Sequence, residues 1–207
     1  IFEGVEKVEW FTLFFMPVVL TIASYIFFFL FPARWITRLP FIIVFGVSYY
    51  AVLLCMNIFN VGVEKSLQLY RAAFSVNFFY QTFLIFLLYS SVFSFRPNFI
   101  ENALITGGIA FFVSLQLFWT VKLNSVLDRG VILMAIVVSV LIAEVATVLS
   151  FIPLKPTVFA LILSATYYSI GGLISKYLDD SLFKETIREY VIVLGFTTII
   201  ALLTISW

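Results

Sequence analysis

Residues 131–152 read VILMAIVVSVLIAEVATVLSFI. These 22 residues contain one ionisable side chain, Glu144. An α-helix rises about 1.5 Å per residue, so the stretch is long enough to cross the roughly 30 Å hydrocarbon core of a bilayer. A helix that is apolar on every side is buried in a large protein or in lipid. The stretch therefore predicts a transmembrane helix with one carboxylate inside it.

The rest of the chain has the same character. Of 207 residues, 63% are hydrophobic and 11% charged, against about 45–50% and about 25% in soluble domains. Mean hydropathy is +1.15. A core of ordinary size cannot take up so many apolar side chains, so lipid must be the solvent for most of them. Six further apolar stretches of spanning length occur, giving seven in all: roughly 10–31, 41–60, 72–95, 101–121, 131–152, 156–177 and 189–206. The fold expected is an all-α integral membrane protein, one polytopic domain over residues 1–207, built as a bundle of about seven helices.

Proline and charge separate the spans. PARWITRLP follows the first, RPNFIEN the third, KLNSVLDRG the fourth and PLKP the fifth. Proline removes a backbone donor, and the residue before it prefers extended geometry. PLKP is so short that spans five and six must form an antiparallel hairpin. Pro17 lies well inside span one and is expected to kink it. Trp10, Trp35, Trp119 and Trp207 all fall at or just beyond span ends, where an amphipathic ring suits the membrane interface. The segment 63–75 is expected to continue as helix into span three. In LDDSLFKETIREY (178–190), Ser181 is a candidate N-cap of a short interfacial helix leading into span seven.

One side of the bundle collects Lys7, Lys65, Arg71, Lys122, Arg129, Lys176, Lys184 and Arg188, and the other Arg34, Arg38, Arg96 and Lys155. Eight against four places the N-terminus in the cytoplasm and the C-terminus outside by the positive-inside rule. The first residue is Ile1, which leaves room for an upstream segment. Spans one to three and five to seven share short matches: TIASYIFFFLFP (21–32) with LIAEVATVLSFIP (141–153), SYY (48–50) with TYY (166–168), and EKSL (64–67) with DDSL (179–182). They suggest a weak 3+1+3 parallel repeat around span four, a layout some transporters use. Apolar composition alone also generates such matches.

Glu144 is the leading functional candidate. A charged side chain at a helix centre costs about 2.5–3.5 kcal/mol on the insertion scale, and such groups usually face the bundle interior. Removal from water favours the neutral form of a carboxyl, which can donate a hydrogen bond. With PLKP as a mirror, Glu144 is level with residues 164–168, so Ser164, Thr166, Tyr167 and Tyr168 are its expected partners. Ser139, Ala143, Ala146 and Ser150 form a small-residue stripe on span five, suited to close helix approach. Glu144 and Thr147 border it and should face protein. Asn77 and Gln81 share one face of span three, and Gln116 on span four lies toward the same membrane side as Asn77. The three amides are expected either to cross-link helices or to line a polar cavity. The pairs Gly107-Gly108 and Gly171-Gly172 read as close-packing points.

Asp179, Asp180, Glu185 and Glu189 form an acidic surface cluster. Adjacent aspartates resemble part of a metal–diphosphate motif, but the second acidic pair is missing, and Lys184 and Arg188 interleave. The chain has no histidine and one cysteine, Cys55. Zinc-protease HExxH motifs, Ser–His hydrolases and Cys–His nucleophiles are therefore excluded, as is an intrachain disulfide. No cofactor or metal site is expected. A net charge of +1 without a basic run argues against nucleic acid. Three functions fit, in this order: a non-catalytic membrane subunit or scaffold, partnered by lipid, other subunits or its own copies; a small-solute or proton-coupled transporter using Glu144; and an enzyme acting on lipid through the acidic cluster.

Overall fold

A computed structural model describes residues 7–30, 35–61, 68–123 and 128–204. It is helical throughout, with seven helices: α1 (Lys7–Leu30), α2 (Trp35–Asn60), α3 (Gln68–Ser94), α4 (Phe99–Lys122), α5 (Arg129–Ser150), α6 (Pro156–Leu178) and α7 (Lys184–Thr204). The first six are long and apolar enough to cross a membrane. The seventh opens with Lys184, Glu185, Arg188 and Glu189, so its apolar part covers only residues 190–204. The start of α3 at Gln68 leaves the earlier part of segment 63–75 outside the described residues, as is Trp207.

Helices α3, α4 and α6 form the centre, and their surfaces are the most buried. Helices α1 and α2 pack on α3, α5 packs mainly on α4, and α7 lies on α6. Helix α1 packs against α3 as well as α2, whereas among the described residues α7 packs mainly on α6. Large apolar side chains such as Ile43, Leu104, Val148 and Phe196 point outward. In water these would form a sticky surface; in a bilayer they meet acyl chains.

Local chemistry explains the helix ends. Asn98 caps α4: its side chain accepts from the Glu101 N–H at 2.9 Å, and Glu101 accepts in return from the Asn98 N–H at 3.3 Å. Pro156 occupies the first turn of α6, where its missing N–H would be unpaired anyway. Pro40 does not precede α2 as expected but lies inside it. So close to the N-terminus it removes only one intrahelical bond. Pro17 lies within an unbroken α1, and the Thr21 hydroxyl donates to its carbonyl at 2.8 Å.

Two further expectations are corrected. Trp119 is 3% exposed and faces the bundle interior, whereas Trp10 is 62% exposed at the start of α1. Position along the chain puts Trp119 in the last turn of α4 but does not set its direction around the helix. Ser181 is not a helix cap: α7 begins at Lys184 as one continuous helix, and the Ser181 hydroxyl donates to Asp179 at 3.2 Å.

At the end of α4, Lys122 Nζ donates to Asp128 Oδ2 at 3.2 Å. That bond and the Gly130 N–H hold the Asp128 carboxyl below its usual range. A depressed carboxyl pKa stabilises the fold at pH values above the unfolded pKa, and the gain fades as pH falls through the folded one. Both side chains are exposed, so the effect is small. Asp128→Asn should melt slightly below wild type at about pH 6, and the gap should close as pH falls below the folded-state pKa, where the carboxyl is neutral in both the folded and the unfolded chain. A difference that persists there would rule out the ion pair as its source.

Candidate functional site

Where α3, α4 and α6 meet, the sequence places amides and a phenol among apolar neighbours. Gln81 on α3 donates to Gln116 on α4 through a very short amide–amide contact. Tyr167 on α6 donates to the Gln81 carbonyl at 3.3 Å. Gln116 also lies 3.7 Å from the Met56 sulfur on α2. Four helices thus meet at one buried polar cluster. Such bonds average about 0.6 kcal/mol in membrane proteins, but they specify which faces pair.

Asn77, one turn from Gln81, is 0% exposed, and among the described residues neither its amide nitrogen nor its carbonyl oxygen has a hydrogen-bond partner. The hydroxyl of Ser114 on α4 is buried beside the Tyr167 phenol. An unmade buried hydrogen bond costs about 1–3 kcal/mol, whereas removing the polar group altogether can be neutral or stabilising. Asn77→Leu should therefore leave the melting temperature in detergent unchanged or raise it. Gln81→Leu should lower it, because it strands Gln116 and Tyr167. If Asn77→Leu proves as damaging as Gln81→Leu, Asn77 is holding something that contributes to stability.

Glu144 lies elsewhere. It is exposed on the outer face of α5 and makes no hydrogen bond or ion pair among the described residues. The expected bond to Tyr167 is absent, since that phenol is taken by Gln81. The cause is rotational. The small-residue stripe does face protein, but its partner is α4: Ser139 donates to the Gly107 carbonyl at 2.8 Å, and Asn102 donates to Ser150 at 2.7 Å. With that stripe turned to α4, Glu144 turns outward. The contact expected between Glu144 and the hydroxyls of α6 is therefore not formed.

The other expected residues are dispersed. Thr147 donates to the Ala143 carbonyl and Ser164 to that of Leu161, each within its own helix. Tyr168 stacks on Phe78 at 5.0 Å and meets Tyr190 at 5.3 Å. Asp179, Asp180, Glu185 and Glu189 are all exposed, and among the described residues no three potential metal ligands converge. The glycine pairs split: a Cβ on Gly107 would meet Ala143 at 3.1 Å and one on Gly172 would strike the Tyr190 ring, whereas Gly108 faces open space and Gly171 makes ordinary contact.

The sequence reading missed two features. Tyr89 donates to the Thr106 carbonyl at 3.1 Å and Tyr70 to that of Thr120 at 2.5 Å, both joining α3 to α4. Spacing along α3 puts Tyr70, Phe74, Asn77 and Gln81 on one stripe, and that signal could have extended the amide pair to Tyr70. Ser114 gave no such signal.

A family model described as "Protein of unknown function (DUF5656)" matches residues 3–204. The chain belongs to the DUF5656 family. No curated protein and no solved structure is significantly similar to it. In this DUF5656 member buried hydrogen bonds join α3 to α4 and to α6. The one carboxyl within the span of α5 faces away from the bundle.

Proposed function

We propose that the chain is a non-catalytic membrane subunit that self-associates through the outer face of α5. The observation that carries this reading is the outward position of Glu144 on a helix otherwise built to meet lipid. Glu144 lies six residues, about 9 Å, inside the end of α5. A carboxyl facing acyl chains there is costly, and ionisable groups inside membranes normally find a protein partner.

A second copy supplies that partner. Two chains inserted with the same topology carry Glu144 at the same depth. A two-fold axis along the membrane normal then brings one carboxyl against the other. In its neutral form a carboxyl both donates and accepts, so the pair is self-complementary. Leu133, Val137, Val140 and Glu144 are all exposed and recur at intervals of four, three and four. This is the seam pattern of paired helices, in which a single polar position fixes register.

The test is a dilution series in liposomes, with subunits counted by single-molecule photobleaching. Two-step bleaching should persist well below the density at which random co-occupancy explains it. Single-step bleaching at every density would dismiss the reading. Proton or solute flux that depends on Asn77 or Gln116 would favour a transporter instead.

A further inference from the structure

We infer that the cavity at the charged end of α3, α4 and α6 binds the phosphodiester headgroup of an anionic glycerophospholipid. The cavity measures about 640 Å³ and is lined by Tyr70, Arg71, Phe74, Val121, Lys176 and Asp179, with serine hydroxyls between them. That size suits a small-molecule site and is far larger than a free phosphate needs.

The charges point to an anion. Arg71 comes from α3 and Lys176 from α6, so two helices aim cations into one concavity. Among the described residues the ion pair is Lys122–Asp128, so neither cation has a carboxylate at bonding distance. Asp179, the single acid in the lining, already accepts from Ser181 at 3.2 Å. The lining therefore carries two cations against one carboxylate. Arginine and lysine are the side chains that recognise phosphate oxygens, arginine in bidentate fashion.

Depth points to lipid as the source. Helix α3 has 27 residues, about 40 Å, against a hydrocarbon core of about 30 Å. Its first turns, which carry Arg71, therefore stand at headgroup level. Lys176 lies in the last turn of α6 and Val121 in that of α4, at the same end. One wall is apolar. Tyr70 is fixed there by its bond to the Thr120 carbonyl, and Phe74 stacks on Phe78 at 6.4 Å. A glycerol backbone and the upper acyl chain would lie on that wall while the phosphate meets the cations. Basic pockets between membrane helices bind lipid headgroups in this way. The outer face of α5 has no part in this cavity, so failure here leaves the self-association reading standing.

The test is native mass spectrometry of the full chain, delipidated in detergent and offered phosphatidylglycerol or phosphatidylcholine. Wild type should retain phosphatidylglycerol at least tenfold better. Arg71→Gln/Lys176→Gln should lose the preference, and Arg129→Gln, on the same side but outside the cavity, should keep it. Wild type also gives a readout without substitution: phosphatidylglycerol should raise its melting temperature and phosphatidylcholine should not. Equal retention of the two lipids, or an unchanged preference in the folded double variant, would overturn the inference. Comparable binding of soluble glycerol phosphate in the absence of lipid would overturn it too, because the site would then serve a free phosphate.

Discussion

Gly107→Leu is expected to destabilise the bundle by about 2–3 kcal/mol. A Cβ at this position would come within 3.1 Å of the Ala143 Cβ and 3.2 Å of the Ser139 carbonyl oxygen. The second is backbone and cannot turn aside. Overpacking of this kind costs about 1–3 kcal/mol. The bond from the Ser139 hydroxyl to the Gly107 carbonyl, 2.8 Å long, would be lost with it, at about 0.6 kcal/mol. In lipid no hydrophobic force between helices makes up the difference, because acyl chains are as apolar as leucine. Gly108 is the internal control, since nothing lies within 4 Å of a Cβ placed there. Gly108→Leu should change stability by less than about 0.5 kcal/mol, as surface substitutions usually do. Reversible denaturation in mixed micelles measures both. Equal losses at the two glycines would show that α4 and α5 do not meet along this seam.

The second large effect is on association. Glu144→Leu should weaken self-association roughly tenfold, because paired carboxyl hydrogen bonds between membrane helices are worth about 1–2 kcal/mol and 1.4 kcal/mol is a factor of ten. Glu144→Gln should associate nearly as wild type, since an amide also donates and accepts. The leucine variant should itself insert and fold at least as well, because it removes the carboxyl from a lipid-facing position. Energy transfer between labelled copies, titrated by protein-to-lipid ratio, gives the constants. A leucine variant that associates as tightly as wild type would separate Glu144 from any contact between copies.

The helices were legible in the sequence because lipid imposes a length on apolar segments, and all seven expected stretches coincide with helices. The break at PLKP is likewise a local matter, settled within a few residues. Rotation about each helix axis was not legible. The spacing of Ser139, Ala143, Ala146 and Ser150 marked a contact stripe, but nothing in it said that α4 rather than α6 would fill it. Once α4 took the stripe, Glu144 was committed to the outer face. In a soluble helix the hydrophobic stripe would have settled this; here apolar residues cover both faces of α5, so periodicity carries little information about direction. The amide pair on α3 fared better, because two polar residues one turn apart in an apolar helix share a single inward direction. The cavity at the helix ends was the least legible feature. It depends on where α3, α4 and α6 stop relative to one another, and no single segment encodes that.

Cysteine cross-linking along α5 tests the central claim most directly. Cys55 is the only cysteine and is buried, so Cys55→Ala gives a background without thiols. Single cysteines placed at Val137, Val140 and Leu133 in native-like membranes should form disulfide-linked dimers on mild oxidation, and one placed at Leu104 on the outer face of α4 should not. Cross-linking confined to the α5 seam, and diminished by Glu144→Leu, is the expected result. No dimer from any α5 position, or equal dimer from Leu104, would contradict self-association through this face.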